Sequence, residues 1–287
     1  MAAFIVGNTD MEFNLANLLK ISIGGPLIAL LSCTEGAVAQ TSAALNQVDL
    51  ELVVTVDVSL PMDRDEQVVA RNGYVDAFRS PEFIDAIVHG SKGRIAVTYV
   101  EFSDVQTVVV PWTLIDGASS ANAFADQLSK APAQFLRTTS ISGDLLFAAG
   151  LFDQSGFVSP RRTIDVSGNG PNNDGLPVVK TRDAVAAKGI TINGLPIDLG
   201  PREAVIADLA DYYKECVIGG PEAFLFSVHE ISQLPAAIRQ KLVQEIVMNP
   251  INADPVLTFV EDQAIDCMIG EKMGPYVPRF RPQGSFQ

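Results

Sequence analysis

Leu50-Glu51-Leu52-Val53-Val54-Thr55-Val56-Asp57-Val58-Ser59 is the stretch on which the fold reading turns. Residues 50–58 are nearly all β-branched or apolar, and the run is short for a core helix. β-Branched side chains suit a pleated surface, and an apolar run without alternation is covered on both faces. The run reads as a buried strand of a parallel sheet. A loop around Leu60-Pro61 follows. Asp63, Asp65 and Glu66 then open a helical stretch to about Phe78, where acids suit the positive end of the helix dipole. A second short helix, led by Ser80-Pro81-Glu82, reaches His89.

The same alternation continues along the chain. Arg94–Phe102 and Thr107–Trp112 read as strands, and the short link Ser103-Asp104-Val105-Gln106 makes them a hairpin. Ser119–Lys130 reads as a helix. Thr138-Thr139-Ser140 offers an N-cap to the next one, whose Ile141, Leu145, Ala148 and Phe152 share a face. Arg162–Ser167 is a fourth strand, followed by the turn-rich loop 168–175, a helix over Pro177–Lys188 and a strand over Ile190–Ile197. Ala204–Cys216 is expected to be helical and Ala223–Val228 to be the last strand. A final helix carries Leu234, Ile238, Leu242 and Ile246. The expected fold is α/β and Rossmann-like: about six strands in a mostly parallel central sheet with one antiparallel edge strand, and helices on both faces.

The ends read differently. Lys20 precedes an apolar run, Ile21–Leu31, and Ala37-Val38-Ala39 stands before Gln40. A positive flank, a short apolar stretch and an A-x-A end make residues 1–39 a secretory signal peptide, with Met11 an alternative start. The run is too short to span a bilayer comfortably, so the exported chain has no integral membrane segment. Leu30-Leu31-Ser32-Cys33 loosely resembles a lipobox, which leaves lipid anchoring at Cys33 as a second option. Residues 40–47 form a linker and 48–247 the domain. Residues 248–287 are a tail broken by Pro250, Pro255, Pro275, Pro278 and Pro282. Export, to the periplasm or beyond, removes Cys33 and leaves Cys216 and Cys267, which either pair in an oxidising compartment or stay as two thiols.

The 287 residues are 47% hydrophobic and 19% charged, enough for a full core and unlike a disordered chain. The net charge of −14 argues against nucleic acid and anionic lipid as partners.

Ligands of open α/β sheets bind at the carboxyl ends of the strands. Three oxygen-rich loops fall there: Asp57-Val58-Ser59-Leu60-Pro61, Thr138-Thr139-Ser140 and Ser167-Gly168-Asn169-Gly170. Carboxylate, hydroxyl and amide oxygens are hard ligands suited to Mg²⁺, Mn²⁺ or Ca²⁺. Asp57, Ser59, Thr139 and Asn169 are the candidate metal residues, with Ser140, Ser167 and Asn172 as candidate ligand contacts.

This order and spacing resembles the von Willebrand factor A domain. Its metal-ion-dependent adhesion site reads D-x-S-x-S, then a Thr, then an Asp. Asp57, Ser59 and Thr139 match; Pro61 stands in place of the second Ser and Asn169 in place of the Asp. The chain is more closely similar to a bacterial family of secreted proteins with such a domain and no agreed activity. Segments carrying that likeness include Gly93–Glu101, Val110–Asp116, Ile164–Gly168, Ile190–Ile197 and Tyr212–Pro221. The resemblance implies a module that engages a protein or cell-envelope ligand, whose carboxylate completes the coordination of a bound metal. The two departures imply a weakened divalent site, or a metal-free version of the same surface. Ordinary caps and turns are the third reading of the cluster.

Enzyme readings have less to stand on. Only His89 and His229 exist, at element ends, and there is no G-x-S-x-G elbow or phosphate-binding loop. Glu101 with Asp104 is an acid pair of the kind usually solvated at a strand end, and Trp112, Tyr212 and Tyr213 read as packing. The expectation is a binding module rather than an enzyme, with a hydrolase using the same oxygen cluster, or a metal-free scaffold, as the alternatives.

Overall fold

In a computed structural model, the described residues are 46–59, 64–132, 134, 137–198, 205–247 and 265–274. The signal peptide, Cys33, Pro61, Asp63 and most of the proline-containing tail lie outside them.

The first strand, β1 (Glu51–Asp57), is buried along its whole length, as its valine-rich sequence requires. It lies at the centre of a five-stranded sheet of order β3-β2-β1-β4-β5. β2 (Ile95–Phe102) and β4 (Arg162–Gly168) flank it in parallel, and β5 (Ile190–Pro196) continues the parallel set. β3 (Gln106–Ile115) returns antiparallel on β2 and forms one edge. The chain thus builds outward from β1 to one side and then crosses to β4 on the other. A crevice opens where the strand order reverses, between the carboxyl ends of β1 and β4.

Helices cover both faces. On one face α1 (Arg64–Arg79) packs against α3 (Ala118–Lys130) and α7 (Leu234–Ile246), with α2 (Pro81–Val88) at their side. Leu52, Val54, Phe78, Val97, Phe124, Ile238 and Leu242 are buried between these helices and the sheet. Ser80 caps α2 through its hydroxyl, which accepts from the Phe83 amide, and Pro81 takes the first helical position. On the opposite face α4 (Ile141–Leu151) and α5 (Val178–Ala186) cover Val53, Ile164, Val166 and Ile192. Strand alternation therefore sends Leu52, Val54 and Val56 to one layer, and Val53, Thr55 and Asp57 to the other.

Three expectations need correction. Ala223–Val228 is not a sixth strand; it forms two isolated parallel bridges, Leu225 with Gly194 of β5 and Val228 with Ile197 just beyond β5. The Gly194 amide donates to the Phe224 carbonyl, and the Asp198 amide to the Val228 carbonyl. The donor due between them belongs to Pro196, which has no N–H, so the ladder is interrupted there. The helix expected over Ala204–Cys216 starts only at Leu209, because Asp208 before it is left-handed (φ 58°), and its regular part is the single turn α6 (Leu209–Tyr212). A wider turn, Tyr213–Val217, follows, closed by the Ile218 amide on the Tyr213 carbonyl. Ser140 stands at the N-cap position of α4 but makes no cap bond; its hydroxyl donates to the Asp174 carbonyl at 3.1 Å.

Cys216 and Cys267 are joined in a disulfide, with Cα atoms 5.5 Å apart. It ties residues 265–274, which hold the short helix α8 (Ile269–Met273), to the turn after α6. A Cβ on Gly270 would lie 2.1 Å from the Asn172 carbonyl oxygen, so only glycine permits this approach. Closing a loop of 51 residues restricts the unfolded chain. Cys216→Ser with Cys267→Ser is expected to lower stability by about 2–4 kcal/mol, read as a drop in the urea midpoint that reductant no longer changes.

Candidate functional site

Asp57 ends β1 and is fully buried in the crevice beside β4. One carboxylate oxygen, Oδ1, accepts from the Ser59 amide at 2.8 Å, and Oδ2 accepts from the Thr139 hydroxyl at 3.2 Å. The Ser59 and Thr139 hydroxyl oxygens are 2.8 Å apart. Since the Thr139 proton goes to Asp57, Ser59 is the donor of that pair. Burial pushes the Asp57 carboxyl up to about 6, against the opposing bonds from Ser59 and Thr139. Three of the four metal residues read from sequence are thus one hydrogen-bonded unit, although 82 residues separate Asp57 from Thr139.

Asn169 follows the end of β4 and is 7% exposed. Its Oδ1 is buried without a hydrogen-bond partner among the described residues. Gly168 lets the crevice close: a Cβ there would lie 2.7 Å from the Tyr213 hydroxyl and 3.2 Å from Asp57 Oδ2. Tyr213 Oη is itself buried and unpartnered among the described residues.

The three residues read as ligand contacts are held by the protein itself. Ser167 pairs in register with Val56, so it faces the layer opposite Asp57, and its hydroxyl meets that of Tyr74 at 2.6 Å. Ser140 is bonded to the Asp174 carbonyl. Asn172 is fully buried and braces four segments. Its Oδ1 accepts from the Ser142 amide at 2.9 Å, and its Nδ2 donates to the Leu176 carbonyl at 3.1 Å and to Glu271 Oε1 at 2.9 Å. Its amide donates to the Tyr212 hydroxyl at 3.1 Å. These residues shape the rim and leave the cation oxygens to others. Asn173, which sequence reasoning passed over, grips Thr139 twice: its Oδ1 accepts from the Thr139 amide at 2.8 Å and its amide donates to the Thr139 carbonyl at 2.9 Å.

Asp144 was also missed. It lies on the inward face of α4 and is fully buried. Burial pushes its carboxyl up to about 8; the Thr55 hydroxyl opposes the rise and the Asp57 charge adds to it. That hydroxyl donates to the Asp165 carbonyl at 3.2 Å, and neither Asp144 oxygen has a hydrogen-bond partner among the described residues. The signal was present in the sequence: Asp144 falls three residues after Ile141 and four before Ala148, on the apolar stripe. Asp165, by contrast, faces the other layer and pairs with Lys241 of α7. Glu101 is not a solvated strand-end acid either; it is 2% exposed and paired with Arg71 of α1.

Among the described residues no group of three or more His, Cys, Asp or Glu gathers as a metal cluster. The donors here are instead a carboxylate, two hydroxyls and an unpartnered amide oxygen. That all-oxygen set fits a hard divalent cation, with Asp57, Ser59, Thr139 and Asn169 as its holders. No helix of the described residues is long and apolar enough to cross a membrane.

Comparison with solved structures places the fold. Proximal thread matrix protein 1 from the mussel byssus, in a form with a zinc-occupied metal-ion-dependent adhesion site, superposes with a TM-score of 0.51 at 14% identity. The match covers 69% of this chain and 48% of that one. The pilus adhesin SpaC from Lactobacillus rhamnosus GG gives 0.52 at 12% identity, over 69% of this chain and 30% of the adhesin. A von Willebrand factor type A protein from Catenulispora acidiphila gives 0.47 at 16% identity, over 69% and 43%. The chain spans about half the length of the mussel protein or less of these relatives. No curated protein sequence matches it. The sequence profile of the family described as "Protein of unknown function (DUF1194)" matches residues 47–250, so the chain belongs to that family, and its domain is von Willebrand factor A-like.

Proposed function

We propose that this protein is an exported binding module that engages a protein or cell-envelope ligand at the crevice between β1 and β4, through a divalent cation. The observation that carries this reading is the bonded unit Asp57–Ser59–Thr139 at the topological switch point, with Oδ1 of Asn169, after β4, buried without a partner among the described residues. Asp57 supplies the charge, Ser59 and Thr139 the hydroxyl oxygens, and Asn169 a neutral fourth. A bound cation would supply a Lewis-acidic centre for a ligand carboxylate. The mussel protein with its zinc-occupied site and the pilus adhesin share the fold and support the choice of a binding role. Export is supported by the leader sequence and by the Cys216–Cys267 disulfide, which suits an oxidising compartment.

A hydrolase reading finds no histidine hydrogen-bonded to the cluster among the described residues. His89 is exposed and bonded to the Asp85 carbonyl, and His229 is exposed beside Ser227. We therefore favour the binding role.

Calorimetric titration of Mg²⁺, Mn²⁺, Ca²⁺ and Zn²⁺ into the protein tests the reading. Binding at millimolar or lower metal, reduced at least tenfold by Asp57→Ala, is expected. An absence of heat for every ion at millimolar concentration, or binding indifferent to Asp57→Ala, would remove the metal from this site.

A further inference from the structure

The crevice holds more unpartnered polar groups than its proposed cation ligands account for. Both oxygens of Asp144, the hydroxyl of Tyr213 and Oδ1 of Asn169 are buried without partners among the described residues. Buried polar atoms in native proteins are overwhelmingly partnered, and a buried carboxyl with only the Thr55 hydroxyl near it is among the costlier exceptions. These groups are also neighbours. Tyr213 lies within electrostatic reach of both Asp57 and Asp144, and its hydroxyl and Asp57 Oδ2 both crowd the same point beside Gly168. Asp144 packs at the level of Thr55, two residues before Asp57 on the same face of β1, a step of about 7 Å along the strand.

Charge makes the arrangement intelligible. The adhesion-site pattern has an Asp where this chain has Asn169, and divalent affinity rises with the number of charged ligands. One carboxylate leaves a divalent cation half-neutralised in a buried place, and a second in the same crevice completes it. Resting on the cation site proposed above, we infer that Asp144 is the second anionic group of that site, supplying from α4 the charge that Asn169 does not supply after β4. It would act from the level of Thr55, with the Tyr213 hydroxyl within reach of both carboxyls. Asp144 is thus a positioning and neutralising group of the centre rather than a structural acid of the helix.

The test is a Mn²⁺ titration of the full chain, with the melting temperature of the metal-free protein measured alongside. Asp144→Asn keeps the shape and removes the charge. It is expected to weaken Mn²⁺ binding at least tenfold while the metal-free protein melts no lower than the parent. Adding Asn169→Asp to Asp144→Asn returns the charge from the other strand and is expected to restore most of the affinity. Asn169→Asp in the parent chain, which keeps Asp144, is expected to tighten binding less than threefold. This last variant decides the matter even if Asp144→Asn folds poorly, because a tenfold or greater gain there would mean that no second charge was already in place. Unchanged Mn²⁺ binding in Asp144→Asn, with binding lost in Asp57→Ala, overturns the role of Asp144 and leaves the site reading standing. No Mn²⁺ binding by the parent chain overturns both.

Discussion

Lys241→Met is expected to cost about 3–5 kcal/mol of stability. Lys241 lies on α7 with its ammonium wholly buried, paired with Asp165 of β4 and, at 2.9 Å, with Glu245 one turn along the helix. Asn193 of β5 donates to the other Glu245 oxygen at 2.7 Å. Burial pulls the lysine down, yet the two carboxylates more than offset it and hold the ammonium above the ordinary lysine range. Burial lifts both carboxyls despite the lysine beside them. Removing the cation leaves two acids facing each other in the core, the arrangement that mutational experience finds most damaging. The measurement is urea unfolding with the slope held fixed between variants. The triple change Lys241→Met, Asp165→Leu, Glu245→Gln removes every charge while keeping an acceptor for Asn193, and should recover most of the loss. A single variant as stable as the parent would mean that the ammonium contributes nothing to holding the two acids in the core.

Asn172→Ala is the second large effect expected, on the order of 3 kcal/mol, since it leaves the Ser142 amide, the Leu176 carbonyl and Glu271 with no replacement partner. The loss has a direction beyond stability. Asn172 links the loop after β4 to the start of α4 and to α8, and its neighbour Asn173 fixes Thr139. Hydrogen exchange at the Ser142 and Thr139 amides should accelerate in this variant well before that of the β1 amides. Uniform acceleration across the domain would show that Asn172 supports global stability alone and does not hold the crevice.

Much of the fold was legible because the signals were local. The Leu50–Val58 run, the short link after Phe102 and the turn-rich loop 168–175 each carry their meaning within a few residues. The places where that reading failed are places where a distant group or a single backbone donor intervened. Pro196 interrupts the outer ladder only because Phe224–Val228 runs beside it. Asp208 delays the start of a helix through its own left-handed backbone. At the site, Asp57, Ser59 and Thr139 could be named from motif order. Ser167 was misassigned because motif order takes no account of which face a strand residue occupies. Asp144 was passed over and Tyr213 read as packing, because no local signal says that two buried polar groups share one crevice.

The sequence by itself determined the α/β architecture, the antiparallel edge and the oxygen-bearing loops, because hydrophobic periodicity and turn chemistry act over a handful of residues. Only the tertiary structure decided which of those oxygens meet. Strand register turned Asp57 and Gly168 toward one layer and Asp165 and Ser167 toward the other, and helix docking buried Asp144 of α4 within reach of the Asp57 charge. Such choices depend on strand register and helix docking across separations as long as the 82 residues between Asp57 and Thr139, where local pattern carries no information.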